Sequence, residues 1–374
     1  MQQNWQGLKT LNCCRSPKLQ QFITAMLLKV KIKKQPLFIP LLMLLFVLLI
    51  NLFKDPSFFK IAVKNGVLYG RIIDVLNRGS EIAILAVGQT LVVAVSAGTD
   101  ISVGSVMSLA ACGGCMVLAG YGNTSVTGII VPIAVGIVVG LIFGLVCGAI
   151  NGAMVAKLKI QPMVATLILF TAARAIGLLL CNNQIIYIRY NPYQYLGNFL
   201  PGVPIPTPIL VTILIIIIAQ IVLKKTSLET YIQSVGINSR ASKICGINSD
   251  AICLICYAIC GLCAGAAGMI ASSRIYSADS NNIGLNYEMY SILAVALGGN
   301  SLAGGKFNIA GSIAGAYTIQ AIMTTLLAMG VSTDQSPVIM AIIIVIIVVI
   351  QSPVFKDWFI TRRKRAAAKK EAAV

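Results

Sequence analysis

Histidine is absent from all 374 residues, which removes Ser-His-Asp and Cys-His catalysis, the H-E-x-x-H metal motif and histidine proton relays together. Acid is nearly as scarce. Only 11 Asp and Glu stand against 29 Lys and Arg, so a carboxylate pair for general acid–base chemistry has few places to come from. Charged residues of both signs make up 11% of the chain, and the mean hydropathy of +0.88 lies far outside the range of a water-soluble domain. Nor is a cleavable signal legible: residues 1–35 are basic but lack an apolar stretch followed by a small-residue cleavage site. That segment is expected to be retained, in part as an amphipathic helix around residues 20–34. A catalyst is therefore not expected, and no cofactor is called for.

A phosphate-binding loop is missing too, despite a near match in GGNSLAGGKF (298–307). Counting back from Gly305 and Lys306, the first glycine of G-x-x-x-x-G-K-[ST] falls on Asn300, and Phe307 replaces the Ser or Thr. The stretch reads instead as a tight turn between two helices, its glycines permitting positive φ and close helix approach.

What the chain does have is apolar length. Hydrophobic residues make up 57% of it and fall into blocks of about 17–25, the length a helix needs to cross roughly 30 Å of hydrocarbon at 1.5 Å per residue. Spans are expected near 36–53, 82–98, 102–120, 127–150, 163–181, 208–223, 251–273, 288–300, 307–330 and 337–352. The fold class is thus an all-α polytopic membrane protein of about ten transmembrane helices, with 82–120 read as two spans or one broken helix. Residues 1–35 form a basic N-terminal segment, 36–352 the membrane domain and 353–374 a basic tail. Of the Lys and Arg residues, 21 fall on one side of this arrangement and 7 on the other, with Arg174 inside a span. The positive-inside rule makes the richer side, with both termini, cytoplasmic. The tail's RRKRAAAKK then reads as a topology and anionic-lipid feature, and no nucleic-acid partner is expected.

Three stretches depart from apolar filler. In SAGTDISVGS (96–105) the helix must break, and Thr99 or Asp100 can cap a helix starting at Ile101. The same break can line a polar cavity, because irregular backbone at membrane depth survives only beside protein or water. Asp100 and Glu288 are the two acids read at the edges of apolar blocks, where charge is costly. KKTSLETYIQSVGINSRASKICGINSD (224–250) is the longest cytoplasmic connector, and residues 239–245 within it can form a short helix between Gly236 and Gly246, with Arg240 and Lys243 on one face. Its bland reading is a solvated basic loop. RIYSADSNNIGLNYEMYSILAVALGG (274–299) offers Asn281, Asn282, Asn286 and Glu288, interleaved with Tyr287 and Tyr290, as hydrogen-bonding groups suited to sugar hydroxyls; Asn and Ser are equally ordinary turn residues. Five spans in each half make the second half enter the membrane inverted relative to the first, an inverted repeat in which the break at 96–102 pairs with the connector at 274–288.

CLICYAICGLC (253–263) carries two C-x-x-C pairs. On one helix, Cys253, Cys256, Cys260 and Cys263 lie within an arc of roughly 80°, but the ends of the stripe are about 15 Å apart. Four sulfurs at about 2.3 Å from one zinc cannot be supplied that way. The stripe reads as small-residue helix packing, continued by Gly261, Gly265 and Gly268.

At GTDISVGSVMSLA (98–110), LKIQPMVATLILF (158–170), VGINSRASKICGIN (235–248), YAICGLCAGAAGMI (257–270) and ILAVALGGNSLAGGKFNIAGSIAGA (292–316) the chain resembles the permease subunits of bacterial ABC importers for ribose, xylose and related monosaccharides. NGVLYGRIIDVLNR (65–78) and ADSNNIGLNYEMYSILAV (278–295) look most like the galactofuranose-type permeases. The resemblance implies a non-enzymatic pore subunit in the bacterial inner membrane, importing a pentose or hexose, galactofuranose among them. It implies three partners: a cytoplasmic ABC ATPase that drives alternating access, an extracytoplasmic sugar-binding protein and a second permease copy or sibling. Coupling to the ATPase carries over onto Gly236, Ile237, Asn238, Ser239, Arg240, Ala241, Ser242, Lys243 and Gly246, and the cysteine-striped span directly after them can pass that motion on. Thr99, Asp100, Ser102, Asn282, Asn286 and Glu288 are the candidates for the substrate path. Two departures from the family pattern are the Gly98-Thr99 pair before Asp100 and the loss of a second acid in the run Glu288-Met289-Tyr290-Ser291-Ile292. The alternative reading, an ion-coupled secondary transporter of a small polar solute, needs paired intramembrane charges, for which the candidates are Asp100, Arg174 and Glu288.

Overall fold

The computed structural model describes residues 38–54, 56–64, 66–332 and 335–351; the basic N-terminal segment with its expected helix at 20–34, and the tail from 353, lie outside the described residues. In chain order the helices are α1 (Phe38–Lys54), α2 (Arg71–Ser96), α3 (Val103–Ala119), α4 (Ile133–Ala156), α5 (Pro162–Leu180), the one-turn α6 (Asn191–Gln194), α7 (Thr207–Lys225), α8 (Leu228–Ile237), α9 (Ser239–Ile244), α10 (Ser249–Ile275), α11 (Tyr287–Leu297), α12 (Ile309–Ala328) and α13 (Ser336–Gln351). Each of the ten apolar blocks falls on one of these helices. Six, α2, α4, α5, α7, α10 and α12, are long and apolar enough to cross a bilayer, whereas α3 and α11 are apolar but shorter. Proline in the first turn starts α5 and α7, where its missing N–H costs nothing and its fixed φ suits the helix.

Among the described residues the helical expectation needs an amendment. Strands β1 (Ala62–Lys64) and β2 (Val67–Tyr69) form a hairpin, and β3 (Ser125–Val126), β4 (Ile186–Ile188) and β5 (Ser277–Ala278) form a small sheet in which β4 runs parallel to β3 and antiparallel to β5. These pairings satisfy backbone groups where the chain leaves one helix for the next. The sheet marks one end of the bundle; α8 and α9 mark the other.

The centre is built from α2, α4 and α10. On α4 the glycines at 136, 140, 144, 148 and 152 recur every fourth residue and form its buried stripe, while Val138, Ile142 and Val146 face outward. A Cβ at Gly144 would overlap the Gly261 carbonyl of α10, and one at Gly261 would overlap the Gly144 carbonyl, so the two backbones touch. The cysteine stripe of α10 turns toward α2: Cys256 and Cys260 are fully buried, and a Cβ on Gly88 would stand 2.7 Å from the Cys260 Cα.

Helix α2 begins eleven residues before the block that predicted it, and this corrects the reading of Arg71 and Arg78 as loop cations. The added turns carry Asn77 and Glu81, whose polar side chains are buried against α10 rather than solvated, so hydropathy alone truncates the helix. At its other end α2 stops at Ser96, with Ala97 in the left-handed region (φ 50°). The next helix starts at Val103, two residues later than expected. Asp100 nonetheless secures that start: its buried Oδ1 accepts from the Ser102 N–H at 2.8 Å and the Ser102 hydroxyl at 2.7 Å, and Asn151 of α4 donates to the same hydroxyl at 2.8 Å. The stretch 82–120 is therefore two helices around a six-residue break.

The 224–250 connector is not a loop but the end of α7 followed by α8 and α9. Ile232 and Val235 bury α8 against the bundle. Gly236 comes so close to the Ala94 carbonyl of α2 that a Cβ would overlap it, and the same carbonyl accepts from Gly305 N–H at 2.9 Å.

Because Cys260 is enclosed by α2 backbone, Cys260→Trp is expected to overpack this contact by about 1–3 kcal/mol or more. A thermal melt of the purified protein should show a midpoint several degrees lower; an unchanged midpoint would mean that the stripe is not a packing surface.

Candidate functional site

At the sheet end, α2, α10, α11, α12 and the segment before α11 line a chamber of about 530 Å³, within the range of about 300–1,000 Å³ typical of small-molecule sites. Its polar lining is Arg78, Glu81, Arg274, Asp279, Asn282, Tyr287 and Gln320. Arg274 closes α10 and reaches α2: Nη1 lies 2.7 Å from Glu81 Oε1, and Nη2 donates to the Asn77 carbonyl and side-chain oxygen at 3.0 and 3.1 Å. Tyr287 donates its hydroxyl proton to the other Glu81 oxygen at 2.8 Å. A buried carboxylate is tolerable only when charge and hydrogen bonds compensate it, and here both do. With Arg78 and Asp279 also in the lining, the chamber carries two cations and two anions and presents no net charge.

After β5, residues 279–286 enter the bundle as irregular backbone, and α3 and α5 hold them there. Arg174 of α5 donates from Nη1 to the carbonyls of Ser280 and Asn281 at 2.6 and 2.8 Å, while the Ser108 hydroxyl of α3 donates to the Ser280 carbonyl at 2.9 Å. Ser280 returns its hydroxyl proton to the Arg174 carbonyl at 3.1 Å. Beneath this segment Gly104 and Gly284 meet face to face, since a Cβ on either would overlap the carbonyl of the other. Glu288 lies against the same Gly104, with Oε2 buried and without a hydrogen-bond partner; Arg174 Nη2 is likewise buried and unpartnered.

At the opposite end a cleft of about 860 Å³ is lined by Ser96 and Ala97 of the break, Gln161 and Pro162, and residues 235–240. Asn238 caps α9 by accepting from the N–H groups of Arg240 and Ala241 at 3.1 and 3.0 Å. Lys243 and Lys159 both reach Asp250, at 2.8 and 2.5 Å, tying α9 to the α4–α5 connector. Gly246 follows with φ +85°. Ser242 is buried, but Arg240, Ile237 and Ile244 are exposed, the two isoleucines at 71% and 88%. Apolar side chains flanking a cation on a helix outside the apolar spans form a surface suited to a protein partner.

The sequence-derived candidates thus divide into two groups. Asp100 and Ser102 are bonded to each other, and Thr99 is half-buried beside Thr166, whose hydroxyl accepts from Ile101 N–H at 3.2 Å. Asn282 is exposed at the chamber and donates to Asp279 at 2.5 Å; Asn286, in the left-handed region, precedes α11 and makes no side-chain cap bond. Gly104 is where the two groups come nearest, with Glu288 on it and Ser102 two residues before it. Sequence reasoning missed the Glu81–Arg274–Tyr287 cluster. Glu81 sits at the very edge of an apolar block and so carried the signal used for Asp100, but its partner lies 193 residues away and only the fold joins them.

Residues 71–348 match the family model described as the branched-chain amino acid transport system / permease component. The chain is 39% identical over 319 residues to the galactofuranose transporter permease protein of Escherichia coli K12, covering 84% of this chain and 89% of that protein. It is 32% identical to the fructose import permease protein of Bifidobacterium longum (82% and 84% covered) and 33% identical to the ribose import permease protein of Escherichia coli K12 (77% and 85%). No solved structure matches. A match across most of the apolar helices, together with relatives at this identity and coverage, places the chain in the permease-component family to which these multi-pass membrane transport subunits belong.

Proposed function

We propose that this chain is the pore subunit of an ABC-type importer that brings a monosaccharide into the cell, a pentose or hexose, with galactofuranose a leading candidate. The observation that carries the reading is the sheet-end chamber: rich in donors and acceptors, with its cations and anions in balance, it favours an uncharged polyhydroxyl solute over an ion. The names of the relatives, all sugar permeases, point the same way. In this reading the ten helices cross the membrane as two inverted halves, both termini are cytoplasmic, and a second permease copy or sibling completes the pore. A sugar-binding protein delivers solute to the sheet end. A separate ATPase docks on α8 and α9 through Arg240, Ile237 and Ile244 and supplies the hydrolysis. Its push reaches α2 through Gly236 and the Ala94 carbonyl, and from there the break at Ala97 and the Gly104–Gly284 contact. Asn282, Asn286 and Glu288 border the solute path; Thr99, Asp100 and Ser102 serve it by holding the break.

Three measurements test this. In proteoliposomes with the ATPase and binding protein, Arg240→Glu should abolish solute-stimulated ATP hydrolysis and lower uptake at least about tenfold, as loss of a central charged contact does; unchanged values, or uptake that persists without the ATPase, would overturn the docking role and favour ion coupling. Asp100→Asn removes the charge from two hydrogen bonds worth about 1.5–3 kcal/mol each, so the thermal midpoint should fall while uptake per folded transporter is kept. Uptake lost at an unchanged midpoint would instead put Asp100 against the solute. Across a panel of labelled pentoses, hexoses and amino acids, uptake should be confined to neutral sugars; uptake of branched-chain amino acids would defeat the substrate assignment.

A further inference from the structure

A second cavity, of about 560 Å³, lies away from both the chamber and the cleft, between α7 on one side and α4 and α10 on the other. Its lining is aliphatic throughout except for Cys263 and Met269, so it offers a polar solute nothing to bond. From Val211 to Leu223 it follows α7 for twelve residues, about 18 Å of helix rise, close to the roughly 15 Å hydrocarbon depth of a single leaflet. Ile218 and Val222 line it and are exposed, so the trough opens sideways, toward the space a bilayer occupies. Where the trough ends at Leu223 and Leu228, α7 finishes with Lys224 and Lys225, both exposed.

We propose that this trough is a binding site for one anionic phospholipid, with an acyl chain lying along α7 and the headgroup phosphate paired with Lys224 and Lys225. The apolar trough and the two cations sit in the order that such a lipid presents: chain at hydrocarbon depth, charge at the surface. Residues of α7 in the trough run directly into α8, so the lipid braces the helix that leads to the Ala94 contact.

The test is native mass spectrometry of the full chain purified in detergent, titrated with phosphatidylglycerol or phosphatidylethanolamine. One phosphatidylglycerol should bind tightly and phosphatidylethanolamine much more weakly. Replacing both lysines, Lys224→Gln with Lys225→Gln, should weaken the first phosphatidylglycerol about 25-fold, from about fivefold per basic residue near an anionic surface. Ala219→Phe, which fills the trough, should remove the tight site, whereas Ile213→Phe, a change at an exposed residue of α7 outside the trough, should leave it intact. Should Ala219→Phe fail to fold, the exposed lysine pair still decides the matter. Equal binding of the two lipids, unaltered binding after trough filling in a folded variant, or dissociation of a dimer with no change in bound lipid would each overturn the proposal, the last by assigning the trough to a second copy.

Discussion

The backbones of α4 and α10 approach so closely that the Gly144 and Gly261 carbonyls each occupy the space a partner side chain would need, and the other helices are arranged around that contact. In hydrocarbon there is no water to expel, so helices associate through close packing rather than through the hydrophobic effect. Glycine every fourth residue on α4 supplies a flat strip, and α10 meets it with Gly261 and Gly265. With α4 on one side of α10, the cysteine stripe is free to take α2 on another. The position of α2 then reaches both cavities, with Glu81 in the chamber lining and Ala94 against Gly236 and Gly305 beside the cleft.

The chamber and the cleft lie at opposite ends of α2. Glu81, Arg274 and Tyr287 fasten the sheet end of α2 to α10 and α11, and Gly236 and Gly305 press on its other end. Between them the chain is broken at 97–102 and pinched at Gly104 and Gly284. Parting the Glu81–Arg274 ion pair would strand a buried carboxylate, a cost of several kcal/mol.

Much of this was legible in the sequence because apolar length is a strong signal at membrane scale. Every apolar block fell on a helix, and the Gly-bounded segment at 239–245 is α9. The start of α2 was missed because Asn77 and Glu81 interrupt hydropathy without interrupting the helix; their polarity is cancelled by Arg274, which no local window sees. Asp100 reads from sequence both as a cap and as a cavity wall; its two bonds go to Ser102, the residue before α3, and the helix starts two residues later than expected. The five glycines of α4 were visible as a four-residue period. They passed unnoticed because their block is uniformly apolar and hydropathy treats a glycine as weak filler.

Arg174 and Ser108 grip the 279–286 segment at the Ser280 and Asn281 carbonyls, and the Ser280 hydroxyl answers by donating to the Arg174 carbonyl. The grip therefore needs one particular side chain, that of Ser280, and otherwise holds backbone. Asn281 and Asn282 are both exposed, and neither side chain takes part in that grip. Exchanging either asparagine leaves the bonds from Arg174 and Ser108 in place, so this surface can change its polar groups while the bundle that carries it stays the same.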